Sequence, residues 1–180
     1  MGQWGEKSGF DPFSDRLARD IRNSLSEAFL RSLSLRSEAP LMEAVAAFPS
    51  GKLRPFHQAY IRERLARYRR VLGRVRGDGP DALSAQVSAA WNEALFFEVH
   101  DLLEPVWREE TGERKMALKG LIQAAAAYTH LSLGRTKPAG TLAAKAARLI
   151  RLHRGALPEL KKPAPLLRAL ERMNPVPPRL

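Results

Sequence analysis

The sequence predicts an all-α protein, a compact multi-helix bundle with an antiparallel helix hairpin, about residues 81–110 and 114–133, at its centre. Three observations carry that prediction. Apolar residues recur at three-to-four spacing in one segment after another. No stretch alternates apolar and polar residues as a half-buried strand would. The breaks fall at proline and glycine clusters that leave runs of helix length between them.

Taken in order, Asp11-Pro12 reads as an N-cap followed by proline at the first helical position. Phe13, Leu17, Ile21, Leu25, Ala28 and Phe29 then mark an amphipathic helix ending near Leu35. Leu41 to Phe48, bracketed by Pro40 and Pro49, predicts a short second helix, and Pro49-Ser50-Gly51 a turn. From Pro55 to Val75 the stripe Ile61, Leu65, Tyr68, Leu72, Val75 is buried, and the arginines around it are solvated. Gly77-Asp78-Gly79-Pro80 is the strongest break. Asp81 to about Glu110 follows as one long helix or two in sequence, bent at Pro105, which removes a backbone donor. After Thr111-Gly112, residues 114–133 are apolar nearly all round, the mark of a central helix, and Gly134 stops them. An Ala-rich helix from Pro138 to Leu152 and a short one from Pro165 to Met173 precede a proline-rich stretch.

With 180 residues, 44% of them hydrophobic, the chain suits one helical domain over 1–180, in which 1–76 is an N-terminal extension packed on a core at 81–155. There is no cysteine, which excludes disulfides, thiolate metal sites and cysteine nucleophiles. No run approaches the roughly 18 apolar residues of a membrane span. Residues 1–10 have neither the basic start nor the apolar stretch of a signal peptide, so a cytoplasmic location is expected. Glu6 stands where a myristoylation signal requires Ser or Thr.

The net charge of +11 is segmented. Residues 50–76 hold nine Lys/Arg against Glu63 alone, 135–180 hold eleven against Glu159 and Glu171, and 77–113 hold nine acids against Arg108. Two readings stand. The basic helices pair with the acidic one across their rims, or they meet an acidic protein or nucleic acid, the latter through Arg62, Arg69, Arg70, Arg148 and Arg151.

Winding residues 93–107 at about 100° per residue puts Glu93, Phe96, Phe97, His100, Leu103, Glu104 and Trp107 on one side. On the next helix Met116, Gln123, Ala127 and His130 stack. In an antiparallel hairpin His100 and Glu104 would lie opposite Gln123 and His130 in a mostly apolar groove. That cluster suits a structural hydrogen-bond network, or a divalent metal held by His100, Glu104 and His130, or a carboxylate-oriented His100 acting with Glu104 as a general base. Neither the Glu-x-x-His pairs of di-iron bundles nor His-Glu-x-x-His is present. Glu98 falls on the opposite face from His100. His57 and His153, on basic segments without acidic sequence neighbours, are expected at the surface. No phosphate-binding glycine loop and no Gly-x-Ser-x-Gly elbow occurs.

The run Phe97-Glu98-Val99-His100-Asp101-Leu102-Leu103-Glu104-Pro105-Val106-Trp107, followed by Gly120-Leu121-Ile122-Gln123, His130 and Gly134, resembles the family called domain of unknown function 309 over about residues 88–152. The resemblance implies a compact helical domain found mainly in prokaryotes, without an assigned reaction. It also implies that Glu98, Asp101, Trp107, Gln123 and His130 join His100 and Glu104 as residues of a binding site. The resulting expectation is a noncatalytic binding or scaffolding module with a structural polar cluster. Its alternatives are a metal-assisted or histidine-based hydrolase and a nucleic-acid binder.

Overall fold

A computed structural model describes residues 9–48, 50–75 and 82–180 of the chain. Among them are eight α-helices and no strand: α1 (Arg16–Leu35), α2 (Ala39–Ala46), α3 (Pro55–Arg74), α4 (Ala82–Asn92), α5 (Phe96–Glu109), α6 (Gly112–Ser132), α7 (Thr136–His153) and α8 (Pro163–Glu171). Short 3-10 turns occupy Ser50–Lys52 and Arg154–Ala156. The chain divides into two compact units, Met1–Arg76 and Gly77–Leu180. The expected break at 77–80 lies outside the described residues.

In the first unit the helix starts one turn later than the Asp11-Pro12 signal indicates. Asp11 instead closes a tight turn, accepting from Phe13 N at 2.9 Å and Ser14 Oγ at 2.7 Å. Asp15 is the N-cap of α1, accepting from Leu17 N at 2.8 Å and Ala18 N at 3.3 Å. The Asp11 turn carries Phe10 onto Tyr60 of α3, ring on ring at 3.7 Å. Further along, Phe29 stacks on Tyr68 at 4.5 Å. Because the segment just before α1 meets the start of α3, and a later residue of α1 meets a later one of α3, the two helices run in the same direction, with α2 on the path between them. Ile21, Leu25 and Phe29 of α1 and Tyr68 and Val71 of α3 form a core with no exposed surface. The arginines of α3 are not all solvated: Arg67 pairs with Glu63 and retains 19% of its side-chain exposure, while Arg64 lies over the Tyr60 ring at 5.0 Å.

In the second unit, the arm expected at 81–110 is two helices, and the break falls at 93–95 rather than at Pro105. Ala94 takes φ +55°, its N–H reaches Trp91 O at 2.8 Å, and Leu95 N reaches Ala90 O at 3.0 Å. This pairing satisfies the last carbonyls of α4 while Leu95 turns into the core with no exposure. Gly134 ends α6 in the same way (φ +70°, Arg135 N to His130 O at 3.0 Å), as does Met173 after α8 (φ +51°, Asn174 N to Ala169 O at 2.9 Å). Pro105 sits inside α5 on its exposed side, so the carbonyl deprived of a donor there is open to water.

Phe96, at the start of α5, meets Tyr128, near the end of α6, at 5.2 Å, so the two helices form an antiparallel hairpin across a short turn. α6 packs on α5 and α7, as its apolar composition predicts. The α6–α7 seam is lined by Ala117, Ala124, Ala139, Ala143 and Ala146, all 2% exposed or less. At Gly120 the helices lie close together: a Cβ there would stand 3.0 Å from Leu149 Cβ and 3.1 Å from Ile150 N. Arg114, at the start of α6, fastens the segment after α7 by donating to Glu159 Oε1 at 2.7 Å, Glu159 Oε2 at 3.2 Å and Ala156 O at 3.3 Å. Its hydrogen bonds to buried Glu159, and to a smaller degree to Glu110, push the Arg114 guanidinium above its ordinary pKa.

Candidate functional site

On α5 and at its N-cap Leu95, the residues turned inward are Leu95, Phe96, Glu98, Val99 and Leu103. Of the stripe that winding the sequence selected, Phe96 and Leu103 are on this face and the rest is rotated away from it. His100 and Glu104 lie on its flank, with 33% and 34% of their side chains exposed, and Asp101 with 27%. Glu98, assigned to the opposite face, is among the described residues the carboxylate with no exposure at all. Its place in the first turn of α5 sets its charge near the positive end of the helix dipole.

The register of the hairpin decides which polar residues can meet. Tyr128 touches both Phe96 and Trp91, the latter at 5.5 Å. Moving four residues on from Phe96 brings His100 level with about Ala124, close to Gln123. His130 then stands about six residues further along α6, roughly 9 Å at 1.5 Å per residue. The side chains that converge are His100, Asp101 and Glu104, whose potential ligand atoms lie within 4.8 Å of one another. Asp101, which entered only through the family resemblance, takes the position in that group expected of His130. His130 occupies the last turn of α6, where its imidazole faces the negative end of the helix dipole.

The chemistry of the cluster follows from its contacts. His100 Nδ1 is 3.2 Å from Asp101 Oδ1. An ionised carboxylate only accepts, so Nδ1 carries the proton and Nε2 presents its lone pair. The imidazole ring lies parallel to Phe97 at 6.4 Å. Glu104 accepts from Arg108 Nη2 at 2.7 Å, so one of its oxygens is already engaged. Trp107, one helical turn on from Glu104, carries Lys115 Nζ over its ring at 5.3 Å. Among the described residues, neither the buried Trp107 Nε1 nor the buried Gln123 Oε1 has a hydrogen-bond partner. The arrangement can accept a proton at His100, or a cation between His100, Asp101 and Glu104.

The expected surface position of His57 is overturned. It is 1% exposed, and Phe56 and Phe10 flank its ring at 4.3 Å and 6.0 Å. Its Nδ1 accepts from Arg54 N at 3.2 Å, so Nε2 carries the proton and donates to Asp15 Oδ2, also at 3.2 Å. With both ring nitrogens engaged, the pair clasps the starts of α1 and α3 and has no lone pair for proton transfer. Burial raises the Asp15 pKa, but hydrogen bonds from Ala18 N, His57 and Leu17 N outweigh it and hold the carboxyl below its ordinary value. His153 is half-buried.

The basic residues expected to meet nucleic acid divide. Arg69 donates to Glu38 Oε2 at 2.9 Å beside a cleft of about 390 Å³ lined by Leu33, Arg36, Leu72 and Val75. Arg151 is tied to Glu171. Arg62, Arg70 and Arg148 are exposed. Sequence reasoning missed Lys137 and Lys145, which share the outer face of α7 with Arg148. The signal was present, since no acid occurs anywhere in α7.

No curated protein and no solved structure matches this chain. Residues 85–142, from within α4 to the first turns of α7 and including the His100, Asp101 and Glu104 cluster, match the model of the family described as Domain of unknown function (DUF309).

Proposed function

We propose that the C-terminal unit is a noncatalytic binding module whose partner is the phosphate backbone of a nucleic acid, met by the outer face of α7. One observation carries this reading. Lys137, Lys145 and Arg148 lie exposed along one side of a helix that contains no acid, and among the described residues none of them has an ion-pair partner. At 1.5 Å per residue the three span about 16 Å, close to five base steps of 3.4 Å. Thr141 and Ala144 between them are small and exposed, so a backbone can approach without steric obstruction. Paired cations such as Arg114 and Arg151 have already spent their charge within the fold. Binding of labelled duplex DNA at about 50 mM salt, read by fluorescence anisotropy, tests the reading. The wild type binds, and the variant Lys137→Glu/Lys145→Glu/Arg148→Glu does not. Equal binding by the two proteins, or none by the wild type, removes this function.

A second reading is supported by the convergence of His100, Asp101 and Glu104 on one turn of α5. One imidazole and two carboxylates suit a divalent cation of the zinc or manganese type. Glu104 would exchange Arg108 for the ion. Calorimetric titration of the protein with zinc or manganese salts is expected to show one equivalent bound, with at least tenfold weaker binding by His100→Ala. Identical isotherms for the two proteins would eliminate the cation site.

A further inference from the structure

The end of α4 holds the proline-rich segment 174–180 by three hydrogen bonds, and their pattern is that of a receptor reading an extended peptide. Trp91 Nε1 donates to the carbonyl of Pro178 at 2.9 Å. Asn92 Nδ2 donates to Leu180 O at 3.2 Å, and Leu180 N donates to Asn92 Oδ1 at 3.1 Å. One carboxamide therefore satisfies both backbone groups of a single residue, as the neighbouring strand of a sheet would. Val176, Pro177 and Pro178 favour an extended chain, because each proline fixes its own φ and disfavours helix in the residue before it. An extended segment of this kind loses little conformational entropy when it docks.

The receptor side is rigid. Trp91 is 1% exposed, and its ring meets Phe96 edge-on at 5.1 Å and Tyr128 edge-on at 5.5 Å. The Tyr128 phenol is pushed up to about 12 by burial, so it stays protonated. The indole N–H is the polar atom this aromatic group directs at the segment, and a buried indole N–H requires an acceptor. The ligand side is lightly held. Pro178 and Leu180 are half-buried, while Val176 and Arg179 are exposed and belong to no helix or strand.

From this we infer that the end of α4, with Trp91 and Asn92, is a binding site for an extended Pro-Pro-x-Leu peptide, and that the chain's own residues 177–180 are its resident, exchangeable occupant. The residue at x faces solvent and is not read; the carbonyl of the second proline and both backbone groups of the leucine are. The site is independent of the α7 surface and of the His100 cluster, and uses none of their residues.

The test uses the full chain labelled with nitrogen-15, and the synthetic peptide Asn-Pro-Val-Pro-Pro-Arg-Leu, the sequence of residues 174–180, as competitor. As peptide is added, the Arg179 and Leu180 amide signals are expected to move to unstructured positions. Half-displacement should fall at millimolar peptide, the order of effective concentration of a segment tethered by a few residues. In Asn92→Ala those two signals stand at unstructured positions before any peptide is added, while the amides of α6 and α7 keep their wild-type shifts. The inference is overturned if Leu180 does not move at about 10 mM peptide, well above that effective concentration. It is equally overturned if Asn92→Ala leaves the Leu180 signal where the wild type has it. The wild-type titration decides the matter without the variant.

Discussion

Replacing Gly120 with alanine adds one methyl group where α6 lies close against α7. Ile150 Cγ1 and Leu149 Cβ would both stand 3.0 Å from the new carbon, and Ile150 N 3.1 Å from it. Carbon atoms rest at about 3.5–4.0 Å, so the shortfall is about half an ångström or more. Only the Ile150 Cγ1 atom can swing aside by a rotamer change, because a Cβ and a backbone nitrogen move with the helix. The seam must therefore open along its line of buried alanines. Overpacking of this kind costs about 1–3 kcal/mol, and alanine's better helix propensity returns about 1 kcal/mol at most. With the full return that leaves a predicted net loss of about 1 kcal/mol at the middle of the range, read as a lower urea midpoint at unchanged slope. Gly140 on α7 is the matched control. A Cβ there meets only Met173 Cε at 4.0 Å, so Gly140→Ala is expected to stabilise by up to about 1 kcal/mol. A Gly120→Ala protein as stable as the wild type would refute the reasoning that the two backbones fix each other's distance.

Three further perturbations probe other parts of the account. Glu159→Gln removes the buried carboxylate that takes both prongs of Arg114, and equilibrium unfolding should show a loss of about 2 kcal/mol; a change below about 0.5 kcal/mol would show that Glu110 and the Ala156 carbonyl suffice to anchor the guanidinium. Ala94→Gly relieves a left-handed residue at the end of α4 and should raise stability by about 0.5–1 kcal/mol, whereas destabilisation would mean that the Ala94 methyl group contributes packing. The third concerns pH. The Asp15 carboxyl is held below its ordinary value, so its contribution is complete above the unfolded pKa, near 4, and is lost as pH falls through the folded one. The stability gap between wild type and Asp15→Asn should therefore be constant above about pH 5 and close on further acidification, and a gap that widens in acid contradicts the His57 clasp.

Helix number and type were legible because proline and glycine punctuate long periodic runs, and the ends at Leu35 and Gly134 fall within a residue or two of the expected places. The face of α5 was less legible. Phe96 and Leu103, both on the expected stripe, do turn inward, but packing against α6 centres the buried face on the Glu98 and Val99 side of them rather than on the Phe97 and His100 side. That rotation carries Glu98 into the interior and leaves His100 and Glu104 on the flank. His57 was misplaced for a different reason: its partner Asp15 lies 42 residues away, and local charge says nothing about a contact at that separation. Asp15 also caps α1, the role that the sequence reading gave to Asp11. The hold of Trp91 and Asn92 on residues 178–180 spans nearly 90 positions and had no local signature beyond the prolines.

The exposed cations Lys137, Lys145 and Arg148 of α7 give the proposed function a quantitative consequence. Three phosphate contacts release about three condensed counterions, so the logarithm of the duplex association constant should fall with the logarithm of salt concentration at a slope of about −2.7. Substituting Lys145 and Arg148 together by glutamine should reduce that slope to about −0.9. A slope near zero in the wild type, or one that the double substitution leaves unchanged, would contradict the assignment of α7 as the surface that meets the nucleic acid.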